Sequence, residues 1–435
     1  MHGKYSSNNM KLLKHSLLLV LFLQVITLVH SQHILLIPDQ VFDGTELKKN
    51  WVVLVFKDSI KYAGPPLQNI PPGTNTIKLP GTTLLPGLIE GHAHLLLHPY
   101  NETSWDDQVL RESRAERTLR AGEHAKASLL AGFTTVRDLG TEGTGYDDAG
   151  IKTAIEKGII PGPRLLIASK AIVAKGAYGP RSGSADTDYP QGAAEVANEE
   201  EMRAEVRSQI SKGADIIKIY ADYRKKAGGP SNPTFTVAEL KAAVEIAALH
   251  NVPVVTHAGT KEGMINSIAA GVKTIEHGDL GDAEIFKSMK EKGIALCPTL
   301  AATEATEEYR GWKKGSDPET NRILQKKKMF QTALASGVTI LMGGDVGVFA
   351  HGDNAREMEL MVAYGMKPID VLRSSTSINA DAFGIGSMVG RIQSGKKADL
   401  IIVNGDPLTN IATIRKVILV MKDGKIYKTP LVEGK

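Results

Sequence analysis

"VPVVTHAGTKEGMINSIAAGVKTIEHG", residues 252–278, contains two short β-branched runs separated by a stretch of helical period. Each run ends in a histidine, His257 and His277. The connection is too long for a hairpin and has the apolar spacing of a helix, so the unit reads as strand, crossover helix, parallel strand.

The same rhythm extends in both directions. "TTLLPGLIEGHAH", "TTVRDLG", "RLLIAS" and "DIIKIYA" precede the quoted stretch, and "ALCPTL" and "TILMGGD" follow it, each leading towards a helical segment. Eight strands alternating with helices predict an α/β fold, a (β/α)8 barrel over residues 82–386. An open doubly wound sheet is the competing arrangement, because alternation alone does not prove closure. The two ends read differently. Residues 32–81 ("HILLIPDQVFDG", "WVVLVFKDSIKYAGP") and 387–435 ("ADLIIVNGDP", "VILVMKDG") are short strands punctuated by turns, and predict one small β-sandwich built from both termini.

Barrel active sites lie at the C-terminal ends of the strands. His92 and His94 end the first predicted strand, Lys218 lies near the end of the fourth, and His257, His277 and Asp345 end the fifth, sixth and eighth. Residues two apart on a strand share a face, so His92 and His94 both aim inward, with Gly91 and Ala93 leaving room for close approach. Imidazole and carboxylate suit zinc and related divalent cations. Lys218 lies between isoleucines with no acid on its own strand. Burial there favours the neutral amine, which can react with carbon dioxide to give N6-carboxylysine, an anionic oxygen ligand. The alternative is a lysine paired to an acid elsewhere in the barrel.

Composition excludes some partners. The formal net charge is +4 with no long basic run, which gives no footing for nucleic acid or an anionic membrane surface. Cys297 is the single cysteine, so no intrachain disulfide forms, and it reads as a small core residue. "MKLLKHSLLLVLFLQVITLVHSQ", from Met10, has Lys11 and Lys14, an apolar stretch and Ser31 before Gln32. It reads as an export signal covering residues 1–31, with Met10 the alternative start, and predicts a periplasmic or secreted protein with no stable membrane span after cleavage. An uncleaved anchor is the competing reading. An Asn-X-Thr sequon lies at Asn101.

Taken together, "GLIEGHAHL", "KIYAD", "THAG", "IEHG" and "GGDVG" resemble the amidohydrolase superfamily. "GFTTVRDLG" and "GPRLLIASKAIV" are similar to its imidazolonepropionase-related branch, which includes exported Xaa-Pro dipeptidases (prolidase-like), carboxypeptidase-like and ochratoxinase-like enzymes. The resemblance implies two divalent metal ions, zinc first among them. His92, His94 and Asp345 would hold one, His257 and His277 the other, with carbamylated Lys218 bridging both. It implies hydrolysis of an amide or peptide bond by a metal-bridging hydroxide. Asp345 would carry the proton to the leaving amine.

Tyr178, in "AKGAYGPRSGS", stands where prolidase-like relatives often carry a histidine, and is expected to stabilise the oxyanion. Tyr220 matches the family tyrosine that binds a substrate carboxylate. His351 and Arg181 are further candidate substrate contacts, with Arg224 beside them as a carboxylate partner. His98 reads as a rim or surface residue, His124 and His250 as structural, and Arg137 and Asp138 as a pair supporting the barrel mouth. The expected substrate is a small molecule or short peptide, Xaa-Pro or similar dipeptides or N-acyl amino acids. The alternative is a cyclic amide or lactone of the imidazolonepropionase type. A homo-oligomer is compatible with the sequence.

Overall fold

The structure, a computed structural model, describes residues 33–180, 184, 186–225 and 229–429. The export-signal reading and Arg181 fall outside them.

Both chain ends enter one sheet. Its strands run in the order Lys425–Lys428, Val417–Lys422, Leu400–Asn404, Asn75–Pro86, His33–Phe42, Val52–Phe56 and Ser59–Gly64, with Leu47–Lys49 pairing His33–Phe42. The joining ladder is antiparallel, Leu400 opposite Pro86 and Asn404 opposite Thr82. Leu36, Val53 and Ile60 from the start of the chain pack with Leu400, Ile402 and Leu419 from its end in one apolar cluster. Neither terminal segment could bury this face alone.

The middle of the chain is parallel. The first strand, Leu88–Ala93, pairs with the second, Phe133–Asp138, which pairs with the third, Arg164–Ile167. The fourth, Ile217–Tyr220, pairs with the fifth, Val254–Ala258, then come the sixth, Thr274–His277, and the seventh, Ala295–Cys297. The amides of Asp215 and Ile216 donate to the Ile167 carbonyl at 2.8 and 3.2 Å, linking the third strand to the fourth. The eighth segment, 339–346, bridges to the seventh at Ile340–Leu296 and to the first at Val346–Ala93. Gly91 and Gly343 permit that last contact. A Cβ on Gly91 would lie 2.4 Å from the Met342 carbonyl oxygen, and one on Gly343 would lie 2.8 Å from the His92 amide nitrogen.

The helices form where caps and apolar spacing coincide. Thr236 and Glu239 make a reciprocal capping box at the start of Val237–Ala248. Thr260 caps Lys261–Ala270, which Gly271 ends in the left-handed region. Two helices follow the first strand, Trp105–Leu110 and Arg114–Leu130, each with its own serine cap, Ser104 and Ser113. The stretch after "RLLIAS" carries two short strands, Ile172–Ala174 and Ala194–Val196, which pair with each other and extend the sheet beyond Ile219. Among the described residues no helix is long and apolar enough to cross a membrane.

Candidate active site

A cavity of about 590 Å³ opens at the C-terminal ends of the parallel strands, and His92, His94, Tyr220, His257, His277 and Asp345 all line it. Ligand atoms of His92, His277 and Asp345 lie within 4.8 Å of one another. Asp345 Oδ1 stands 3.6 Å from His92 Nε2 and 3.4 Å from His94 Nε2. The rings of His257 and His277 are 4.3 Å apart, and those of His92 and His277 are 5.2 Å apart.

Three of these imidazoles are fixed through Nδ1. His92 Nδ1 is 3.0 Å from Glu276 Oε2, His94 Nδ1 is 3.0 Å from the Gly140 carbonyl, and His277 Nδ1 is 2.7 Å from Thr299 Oγ1. That leaves Nε2 of each free for the cavity, the arrangement that orients histidine ligands. Burial holds His92 well below its ordinary range and His257 down at about 3, so both are neutral, as ligation requires.

Lys218 is fully buried, and its Nζ has no hydrogen-bond partner among the described residues. Asp345 Oδ1 is orphaned in the same way. Burial lowers the Lys218 pKa and raises that of Asp345. An unpaired amine and an unpaired carboxylate oxygen, enclosed by neutral imidazoles, leave buried polar groups unsatisfied at a cost that bound cations would remove. The donor set therefore fits divalent metal ions. A second cluster, His92, Glu276 and Cys297, does not, because Arg137 already engages both Glu276 oxygens at 2.9 Å.

Backbone strain collects here. Of nine described non-glycine residues with positive φ, four line the cavity: Glu142, His277, Thr299 and Asp345. Each costs on the order of 1 kcal/mol. At His277 (φ 74°) it also breaks the strand alternation. Thr274 and Glu276 face the same way and both reach Arg137, yet the next residue, His277, still enters the cavity.

The sequence profile of the amidohydrolase family matches residues 83–427. The chain belongs to the amidohydrolase family. This amidohydrolase is 29% identical to an ochratoxinase of Aspergillus niger, over 91% of this chain and 86% of that one. It is 31% identical to a Xaa-Pro dipeptidase crystallised with methionine in its active site, with a TM-score of 0.81, covering 91% of this chain and all of that one (100%). A prolidase complexed with N-methylphosphonate-L-proline is 26% identical, with a TM-score of 0.81, covering 92% of this chain and 100% of the other.

Several residues of this amidohydrolase lie where the sequence did not place them. His351 does not line the cavity. Its Nε2 is 3.1 Å from the Leu97 carbonyl and its ring stacks on His124 at 4.3 Å, so it packs behind the first strand instead of meeting substrate. Tyr178 does line the cavity, but its hydroxyl donates to Glu142 Oε2 at 2.6 Å. A tyrosine has one proton to give, so as placed it is not an oxyanion donor. Tyr220 stacks on His257 at 4.6 Å and its hydroxyl lies 3.4 Å from Glu142 Oε1, where a substrate carboxylate would meet like charge. His98 is buried between Glu102 and Glu112, at 3.2 and 2.8 Å. Arg137 pairs with Glu276, while Asp138 accepts from the Leu95 amide. Arg224 lines the cavity, and Cys297 is buried as expected.

Sequence reasoning passed over Glu142, Glu276 and Glu90. Glu276 lies inside the quoted "IEHG", but an acid beside a histidine carries no signal without knowing which face it occupies. Glu90, pushed up to about 7 by burial, accepts from the amides of His92 and Gly344 and from Asn354 Nδ2, and so ties the first strand to the Asp345 turn.

Proposed function

We propose that this amidohydrolase cleaves the amide bond of a small substrate, a dipeptide (Xaa-Pro or similar) or an N-acyl amino acid, using two divalent metal ions, zinc foremost. The observation that carries the reading is Lys218. Its buried Nζ has no hydrogen-bond partner among the described residues, lies over the Tyr220 ring at 5.5 Å, and is within electrostatic reach of His92, His257, His277 and Asp345, which supports an N6-carboxylysine oxygen ligand there. The likeness to a Xaa-Pro dipeptidase and an ochratoxinase supports an amide substrate. We further propose that the parallel strands close as a (β/α)8 barrel over residues 82–386, beside a β-sandwich of residues 32–81 and 387–435. On this reading the chain is exported after loss of residues 1–31.

His92, His94 and Asp345 would hold one cation, His257 and His277 the other, with Lys218 between them. Bound there, the pair would acidify a shared water and polarise the scissile carbonyl. The chain's own residues do the remaining work. Glu276 and Gly140 hold the His92 and His94 rings in the tautomer that frees Nε2. Asp345 Oδ1, without a hydrogen-bond partner, accepts the water's proton and returns it to the departing amine. Arg224 offers a guanidinium to a carboxylate-bearing end of the substrate.

A panel of Xaa-Pro and Xaa-Arg dipeptides and N-acyl amino acids, run on zinc-loaded protein with metal content measured, tests the proposal. Turnover of at least one class with two equivalents of metal per chain is expected. One equivalent would remove the bridging role of Lys218 and favour chemistry of the imidazolonepropionase kind.

A further inference from the structure

We infer that Glu142 and the aromatic side chains around it form a pocket for a primary ammonium group, the free α-amino end of a peptide substrate. The inference deepens the amide-hydrolase reading and rests on it for the identity of the substrate.

Glu142 lies in the turn after the second strand, in the left-handed conformation (φ 49°), with only 2% of its surface exposed and its carboxylate on the cavity wall. Arg117 holds the turn by donating to the carbonyls of Glu142 and Leu96 at 2.8 and 3.0 Å. The carboxylate accepts from Trp105 Nε1 at 3.0 Å, from the Tyr178 hydroxyl at 2.6 Å and from the Tyr220 hydroxyl at 3.4 Å.

The rings enclose the carboxylate. Tyr178 lies 5.2 Å from Trp105, 4.7 Å from Tyr220 and 4.8 Å from Tyr223, centroid to centroid. A buried carboxylate inside such a wall selects a cation over a neutral or anionic group.

Oε1 keeps acceptor capacity. Its contact with Tyr220 is long, and His94 Nδ1, 3.9 Å away, is bonded instead to the Gly140 carbonyl. Position agrees with chemistry. The His94 ring lies between the two carboxylates, its Nδ1 3.9 Å from Glu142 Oε1 and its Nε2 3.4 Å from Asp345 Oδ1, so Glu142 flanks the proposed reaction centre. The α-nitrogen of a peptide is two bonds from its scissile carbonyl carbon, close enough to reach both. Free-amino dipeptides are therefore the substrate class, and N-acyl amino acids are disfavoured.

The test uses alaninamide and N-acetyl-alaninamide, which differ in the ammonium and lack a carboxylate. Binding to the full chain is followed by calorimetry and by quenching of Trp105 fluorescence. Hydrolysis of Ala-Pro and N-acetyl-Ala-Pro is measured alongside. Alaninamide is expected to bind at least tenfold more tightly than its acetylated form. Glu142→Gln is expected to abolish that preference and to raise KM for Ala-Pro more than it lowers kcat, while Glu142→Asp retains part of the preference. Equal binding of the two amides by the wild-type chain overturns the inference, and that comparison needs no variant to fold. So does a Glu142→Gln protein that weakens both amides alike, which is the behaviour of a residue that only positions the tyrosines. If the binding preference holds and neither peptide is cleaved, the hydrolytic reading fails and the pocket stands. If both peptides are cleaved equally and the amides bind alike, the pocket fails and the hydrolytic reading stands.

Discussion

His92 Nδ1 lies 3.0 Å from Glu276 Oε2, and that carboxylate is in turn held by Arg137 Nη2 at 2.9 Å. Both acid and base are fully buried, so the triad is a desolvated ion pair that fixes one imidazole. Glu276→Gln keeps the shape but leaves the Arg137 charge without its partner. Breaking such a buried pair costs about 3 kcal/mol, and losing a histidine's carboxylate support lowers metal affinity roughly 10- to 100-fold. Chelator-competition titration and a thermal melt should show both losses. An unchanged affinity would mean that His92 is not a ligand.

Lys218→Ala removes the amine that the proposed carbamate requires. Metal content should fall from two equivalents to about one, and a carbamate carbon resonance present in wild type under 13C-labelled carbon dioxide should be absent. Lost metal is also lost stability, about 2.7 kcal/mol at a free concentration one hundred times Kd. Added zinc should raise Tm more in wild type than in the variant.

Asp345→Asn tests the proton transfer with little change in shape. Asn tolerates the left-handed backbone that Asp345 adopts at φ 64°, so folding should persist. Without a titratable oxygen, kcat should fall about 10²- to 10⁴-fold. Wild-type turnover by the variant would assign the proton to another group.

Asp58 and Lys397 join the two ends of the chain by a part-exposed ion pair, with Nζ 2.6 Å from Oδ2. Lys397 and the Ser59 hydroxyl draw the Asp58 carboxyl down to about 2. A depressed acid pKa stabilises the fold above the unfolded value and loses that contribution as pH falls towards 2. Asp58 is half exposed, so screening keeps the contribution below about 1 kcal/mol. Asp58→Asn should melt slightly below wild type at pH 7, and the gap should close near pH 2 in proteins that remain folded. A gap that widens on acidification would reverse the sign.

Legibility followed periodicity. The strands ending at His94, His257 and His277 could be read because a run of β-branched residues, a turn and a helical period fit within one crossover. Lys218 could be read because a lysine between isoleucines contradicts its strand. His98 and His351 misled because their signal was proximity in sequence to the cluster or to a strand end. Their partners, Glu112 and His124, come from the neighbouring helical region. Glu142 carried no signal, since an acid in a glycine-rich turn is ordinarily solvated.

By itself the sequence determined the β/α rhythm, the sheet-forming ends and a set of candidate metal-ligating side chains, all of which depend on local spacing and side-chain chemistry. The tertiary structure decided which nitrogen of His92, His94 and His277 is free and that Glu276, not Asp138, pairs with Arg137. It also placed Glu142 against Trp105, Tyr178 and Tyr220. Those are contacts between residues up to 184 positions apart, as in the His92–Glu276 pair. Their energies arise from burial, and burial exists only once the chain has folded.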